Sequence, residues 1–420
     1  MNIFSDLFTA ISQFFLFFSI IFSLWWVWLP VILWLILKTL YGDYATGIFL
    51  AKNWNFDLLE IVLEKGEEKT PKSMEKVITT LHGGRTGYSW WDKNIKGAKQ
   101  DMFSLEIVGI NGEIHFLIRT LKKYRRLVEN AVYGSFPEVE ITEVKDYVLN
   151  LDREKLEIDY DIFGGDFGMA KKDAYPIRTY MSHSGSEDDP LSQILEVLAN
   201  LESGEQLWIQ LPIEPADDDW IDNSKKELEK LLGKRVDDKR GFVDKYLMPL
   251  IEAISFGLIK APVAPSTPEQ KFGIAQDLTP GKAEAIKAIE NNITKSGFKT
   301  VMRVIYIAPK EIFNSASIKT IFGALKQFND ASLNSFRLDD KTVPSVENFF
   351  GKADKSSERL RKNLLLDNYI GRKIKSTKFV FNTEELATVF HFPNGTITTS
   401  TLKRVRSKKA TPPSELPLIN

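Results

Sequence analysis

The chain has no cysteine among its 420 residues and only four histidines. That excludes disulfide staples, thiolate nucleophiles and cysteine-ligated zinc, and it agrees with a reducing compartment. His82, His115, His183 and His391 lie far apart, with no H-x-x-x-H pair to grip a metal from one helix face. A G-x-x-x-x-G-K-[ST] phosphate loop is also missing. Gly83-Gly84-Arg85-Thr86-Gly87 lacks the lysine and a preceding strand, and Thr279-Pro280-Gly281-Lys282 puts a proline where backbone donors would cradle phosphate. No G-x-S-x-G elbow is present. Asp217, Asp218 and Asp219 form a run suited to the first turn of a helix rather than a spaced acid–base pair. Lys plus Arg (55) balance Asp plus Glu (56), so no global field draws the chain to nucleic acid. The expectation is a protein that is not an enzyme and carries no cofactor or metal.

What the chain does have is grease at its N-terminus. Phe14 to Leu37 reads FFLFFSIIFSLWWVWLPVILWLIL without a charge. As a helix this run extends roughly 36 Å at ~1.5 Å per residue, against a hydrocarbon core of ~30 Å. Trp25, Trp26, Trp28 and Trp34 supply large lipid-facing rings, and Pro30 falls inside the span. No positive region precedes the run and no small-x-small site follows it, which argues against a cleaved signal peptide. Residues 3–13, apolar with Asp6 interspersed, suit a helix lying in the interface, so residues 1–41 read as the membrane anchor. A two-span hairpin is the alternative and needs a turn within the run. No Lys or Arg precedes Lys38, whereas Lys38 and Lys52 follow, which places the soluble body in the cytoplasm.

The body reads as α+β. Alternation over 57–63, 102–110, 113–120 and 139–148 predicts strands, and helical spacing over 71–81 and 121–133 predicts helices. Asn111-Gly112 is a tight-hairpin signal. The order strand, helix, strand, strand, helix, strand over 55–150 is that of a ferredoxin-like split βαβ domain. A similar order returns over 205–345. There, strands are expected at 206–213, 299–307 and 335–338, and helices at 220–232, 243–258, 282–295 and 316–328. Tandem ferredoxin-like domains are therefore expected, the second enlarged by a helical insertion and followed by a small α/β extension. Residues 151–204 read as linker and helix, with a glycine-rich linker over 164–189. Proline-rich stretches fall at 261–280 and in the tail at 411–420.

The segment 346–410 is basic. From Gly351 to Ala410 there are fourteen Lys and Arg against five Asp and Glu. Arg359, Arg361, Lys362, Arg372, Lys373, Lys375, Lys403, Arg404, Arg406, Lys408 and Lys409 are candidate contacts to nucleic acid or anionic lipid, and equally suit a solvated surface. Within it lies FNTEELATVFHFPNG. There Phe379 to Phe381 ends a strand, Asn382 caps a helix with Glu385 closing a capping box, and Pro393 ends that helix.

The apolar span, the tandem α+β body, NTEELATVFHFP and TPPSELP together resemble a known family, as do SLEIVGINGEIHFLIRTLKKY through SFPEVEI, DAYPIRTY with EDDPL, and SGFKTVMRVIYIAP. That family is the bacterial coupling-protein-like, HerA- and FtsK-related DNA translocases of type IV secretion, in its N-terminal, non-ATPase half. The resemblance implies an anchor and adaptor of the inner (cytoplasmic) membrane, with a separate P-loop ATPase as partner, since no motor residue of the family has a counterpart here. It also implies DNA or protein as cargo and a homo-oligomeric assembly. A membrane-tethered module binding nucleic acid or anionic lipid through the basic segment is the second expectation.

Overall fold

The computed structural model describes residues 25–64, 70–151, 153–183, 189–233, 279–344, 355–374, 378–393 and 404–405, with the isolated positions 19 and 23. The chain divides into two compact units, residues 1–56 with 85–101 and residues 57–84 with 102–420.

The first unit is built on α1, Trp25–Asn53. Its 29 residues extend about 43 Å at ~1.5 Å each. The helix therefore continues well past the anchor boundary expected at residue 41. Trp25, Trp26, Trp34 and Leu37 are all exposed, and Pro30 lies inside the helix. The Lys38 ammonium sits 5.4 Å from the Trp34 ring centroid. Residues 29–53 are long and apolar enough to cross a membrane, a test that a signal sequence near the N-terminus also passes. Phe14 lies outside the described residues, and of Trp28 only the helical backbone is described. The segment 85–101 packs on α1 and carries the short helix α2, here the one over Trp90–Asn94.

The second unit is one sheet, with eleven strands among the described residues. They are β1 (Phe56–Glu64), β2 (Phe103–Ile110), β3 (Glu113–Leu121), β4 (Glu140–Val144), β5 (Tyr160–Met169), β6 (Gln206–Pro215), β7 (Gly297–Thr300), β8 (Met302–Pro309), β9 (Phe336–Leu338), β10 (Phe379–Asn382) and β11 (Arg404–Val405). The order is β11-β1-β3-β2-β6-β8-β5-β9, with β4 also on β1, β7 on β6 and β10 on β7. The centre is the antiparallel pair β2–β6, running from Phe103↔Ile213 to Ile110↔Gln206. The β2–β3, β6–β8, β8–β5 and β5–β9 pairs are antiparallel as well.

Strand alternation divides the sheet into two faces. On one, Leu105 and Ile107 of β2, Ile209 and Leu211 of β6 and Val304 and Tyr306 of β8 join the larger core. That core also takes residues of Pro71–Leu81, Arg125–Ser135, Ser192–Ala199 and Ser315–Leu325, named α3, α4, α5 and α6. The helix Thr383–Val389, α7, packs against α3 in the same layer. On the other face, Val108, Trp208, Ile305 and Ile307 meet Leu365, Leu366 and Tyr369 of the helix Lys355–Ile370, α8.

Two expectations are corrected. The glycine-rich stretch from Gly164 is not a linker but part of β5, a central strand paired with β8 and β9. Its glycines serve close approach, since a Cβ on Gly164 would stand 2.1 Å from the Val304 carbonyl oxygen. Residues 160–169 therefore belong to the sheet. The strand expected at 299–307 breaks at Val301 into β7 and β8, which lets β7 pair with β10. The expected helix 243–258, the stretch 261–278 and the tail lie outside the described residues.

Candidate functional site

Five polar residues of β2, β6, β8 and β5 do not face water. Ser104, Glu106, Gln210, Arg303 and Asp166 lie on the α8 face of the sheet, each at most 1% exposed. Glu106 pairs directly with Gln210 across the β2–β6 ladder, and Gln210 with Arg303 across β6–β8. The side chains continue this row. Gln210 Nε2 donates to Glu106 Oε1 at 3.2 Å, Arg303 Nη1 donates to Gln210 Oε1 at 3.1 Å, and Arg303 forks onto Asp166 at 2.6 and 3.0 Å.

The end of α8 closes the row. Arg372, two residues past the helix and in the left-handed region at φ 48°, buries its guanidinium between two carboxylates. Its Nε donates to Glu106 at 3.0 Å, and Nη1 and Nη2 donate to Asp146 at 2.7 and 2.9 Å. Tyr147 donates to Glu106 at 2.8 Å and meets the Tyr369 hydroxyl at 2.6 Å. Arg303 also donates to the carbonyls of Asn368 and Lys373. The array thus ties four strands, the 146–147 turn and the α8 terminus together.

Electrostatics follow from this enclosure. Burial presses Glu106 toward its neutral form, but the Arg372 charge and hydrogen bonds from Arg372, Ser104 and Tyr147 outweigh it. The Glu106 carboxyl is held below the usual range. Burial works against the Arg372 charge too, and the two carboxylates overcome it, raising its affinity for the proton. Burial and the nearby Glu106 charge raise Tyr147, and burial raises Tyr369. Burial, with repulsion from Arg372, lowers Arg119 to about 10. Every charge in the row is engaged by another, so the arrangement suits holding parts together better than moving protons.

A second cluster surrounds α7. The capping box is present, with Asn382 accepting from the Glu385 N–H at 2.7 Å and Glu385 accepting from the Asn382 N–H at 2.9 Å. Glu385 also accepts from the Ile177 N–H at 2.9 Å. Full burial raises its carboxyl to about 8 against these donors. Lys295 bridges Glu75 of α3 and Glu384 of α7 at 2.6 and 2.5 Å. His391 meets Asp189 at 2.8 Å, both buried. Phe390 and Phe392 insert beside Phe116 of β3. The motif thus pins the helical layer from one half of the sheet to the other. Among the described residues no group of three or more His, Asp or Glu is placed to hold a metal ion.

A family profile described as a domain of unknown function, DUF8128, matches residues 39–404. The chain belongs to that family. No curated protein matches it.

In this DUF8128 chain the described basic residues singled out from the sequence take different positions. Arg372 is a buried internal partner rather than a surface cation, because Glu106 and Asp146 enclose it. Arg359 pairs with Glu157, Lys362 with Asp161 and Glu358, and Arg361 donates to the carbonyls of Asp340 and Val343. Arg359 and Lys362 line an open cleft of about 430 Å³ with Arg153 and Lys310, whose cations alternate with Glu157, Asp161 and Glu358. Lys373 offers its carbonyl to Arg303. Arg404 contributes backbone to β11, which pairs parallel with β1. Lys375, Lys403, Arg406, Lys408 and Lys409 lie outside the described residues. Sequence reasoning missed Glu106, Gln210, Arg303 and Asp166, because a polar residue alternating with apolar ones reads as solvent-facing. The signal was Leu365, Leu366 and Tyr369, apolar residues in the otherwise polar α8 that cover that face.

Proposed function

We propose that the chain is a membrane-anchored platform that holds a P-loop ATPase at the bilayer in a translocation complex of the type IV secretion kind. The observation that carries this reading is α1, whose large apolar side chains Trp25, Trp26, Leu33, Trp34 and Leu37 are all more than half exposed. Such a surface is costly in water and favourable in lipid. Lys38 beside Trp34 suits a cation drawn to the headgroup level at the end of the span. The helix is read as a retained anchor of the inner membrane, with the body in the cytoplasm.

The body is read as two ferredoxin-like split βαβ units joined edge to edge. Strand order supports this. β4-β1-β3-β2 carries α3 and α4 between its strands, and β9-β5-β8-β6 carries α5 and α6 at the corresponding places. The join is β2 with β6, the second strand of each unit. The buried ionic array crosses that join, which suits a rigid support. Affinity purification of the tagged full chain from detergent-solubilised membranes tests the partner. Recovery of a P-loop ATPase in near-stoichiometric amount is expected, and repeated recovery of the chain without one contradicts the reading.

A further inference from the structure

The first unit carries a feature that anchoring by α1 alone does not use. Between Arg85 and Asp101 the chain presents two adjacent tryptophans, Trp90 and Trp91, 69% and 57% exposed. Nothing about their own folding calls for large rings there. α2 is stabilised instead by a capping box between Ser89 and Asp92, and by Lys96 on Asp92 at 2.9 Å. Hydrogen bonding from Ser89 and Lys96 lowers the Asp92 carboxyl to about 2, so the pair stays ionised.

The segment is held to α1 between Tyr41 and Phe49, about 12 Å of axis at ~1.5 Å per residue. The Tyr41 hydroxyl donates to the Ile95 carbonyl at 3.1 Å. Gly97, at φ +66°, lies so close to the helix that a Cβ would stand 2.3 Å from the Thr46 nitrogen. Tyr88 meets Phe49 edge to face at 5.9 Å. Thr86 closes the base of the loop through Gln100 and Asp101. Tyr41 lies three residues past Lys38, about 4.5 Å along the axis at ~1.5 Å per residue, and helical side chains lean toward the N-terminus. The Ile95 end of α2 therefore sits just beyond the apolar run, where a headgroup layer of roughly 5–8 Å begins. Exposed Tyr41 and Tyr44 of α1 occupy the same level. The exposed lysines Lys93 and Lys99 follow the tryptophans, while Lys96 pairs with Asp92.

We propose that residues 85–101 form a second, interfacial membrane contact, with Trp90 and Trp91 seated in the headgroup layer of the bilayer that α1 crosses and the lysines set against lipid phosphate. Amphipathic indoles and long basic side chains are the residues that this layer favours. Two points of attachment would fix the rotation and tilt of α1, which a single span leaves free. The inference rests on the anchor reading of α1.

The absence of cysteine makes the test clean. Asn94 lies one turn from Trp90 on the same face of α2. Asn94→Cys, labelled with an environment-sensitive fluorophore, is reconstituted as the full chain in phosphatidylcholine–phosphatidylglycerol vesicles. Leu35→Cys on α1 serves as the deep reference, and Glu290→Cys, exposed on the body, as the aqueous one. At position 94 the expected result is stronger quenching by headgroup-level than by deep spin-labelled lipid, with several-fold weaker iodide quenching than at position 290. Trp90→Ser with Trp91→Ser should return position 94 to iodide. If position 94 matches position 290, or ignores loss of both tryptophans, while position 35 stays deep, the contact is refuted and the anchor stands. If position 35 is open to iodide, both readings fail.

Discussion

Replacing Arg372 by Met tests the ionic array. The substitution keeps the length of the stem and removes the guanidinium that joins Glu106 to Asp146. Asp146 is 16% exposed and recovers water, whereas Glu106 is fully buried and does not. Glu106 keeps Ser104 at 2.7 Å, Tyr147 at 2.8 Å and Gln210 at 3.2 Å as donors, but loses the guanidinium that donates to it. Breaking a buried pair from one side costs about 3–5 kcal/mol, a large share of a typical folding free energy of about 5–15 kcal/mol. The sign of the pH response adds a second signature. With Arg372 present, the Glu106 carboxyl lies below 4.5 and contributes stability above that pH, which is lost on acidification. Without it, burial dominates and the carboxyl rises above 4.5. Its contribution is then present at low pH and lost as the pH climbs. The gap between native and variant should therefore narrow from pH 7 to pH 5. Urea unfolding of the full chain in detergent, followed by circular dichroism, reads both quantities. Arg372→Lys should recover only part of the loss, because an ammonium cannot fork onto two carboxylates. A cost below about 1 kcal/mol, or a gap that does not change with pH, refutes the reasoning.

Three further outcomes follow from the same geometry. Asn382→Ala removes the cap on Glu385 N–H and the 2.9 Å bond to Asn292, and should cost about 1–2 kcal/mol in the same unfolding assay. Glu385, raised from 4.5 to about 8, contributes stability that is whole below 4.5 and fades as the pH rises through 8; Glu385→Gln should flatten that slope between pH 5 and 8. Gly164→Ala forces a Cβ against the Val304 carbonyl and should destabilise by about 1–3 kcal/mol or more, read as a lower midpoint of thermal unfolding.

Local signals in the sequence were faithful where a residue's role was local. Met74, Val77, Ile78 and Leu81 marked α3 to its ends, and Asn382 with Glu385 marked α7. Asn111 and Gly112 take the positive φ angles of 52° and 82° that their dipeptide announces. Misreadings came where tertiary contact reversed a local meaning. Gly164 and Gly165 read as linker, yet serve a strand whose neighbours press against it. Glu106 and Arg303 alternate with apolar residues as surface positions would, yet α8 and the 146–147 turn cover them. Arg372 belonged to a basic run by sequence but to a buried pair by position. No window of the sequence contains both Glu106 and Arg372, so their partnership was not legible before folding brought them together.

The central claim is that α1 remains in the membrane as an anchor for the body. Alkaline carbonate extraction of membranes from cells expressing the full chain, with mass spectrometry of its N-terminus, tests it directly. The account predicts that the protein stays in the pellet with residues 1–37 intact. Release into the supernatant, or a mature N-terminus beyond Leu37, would contradict it.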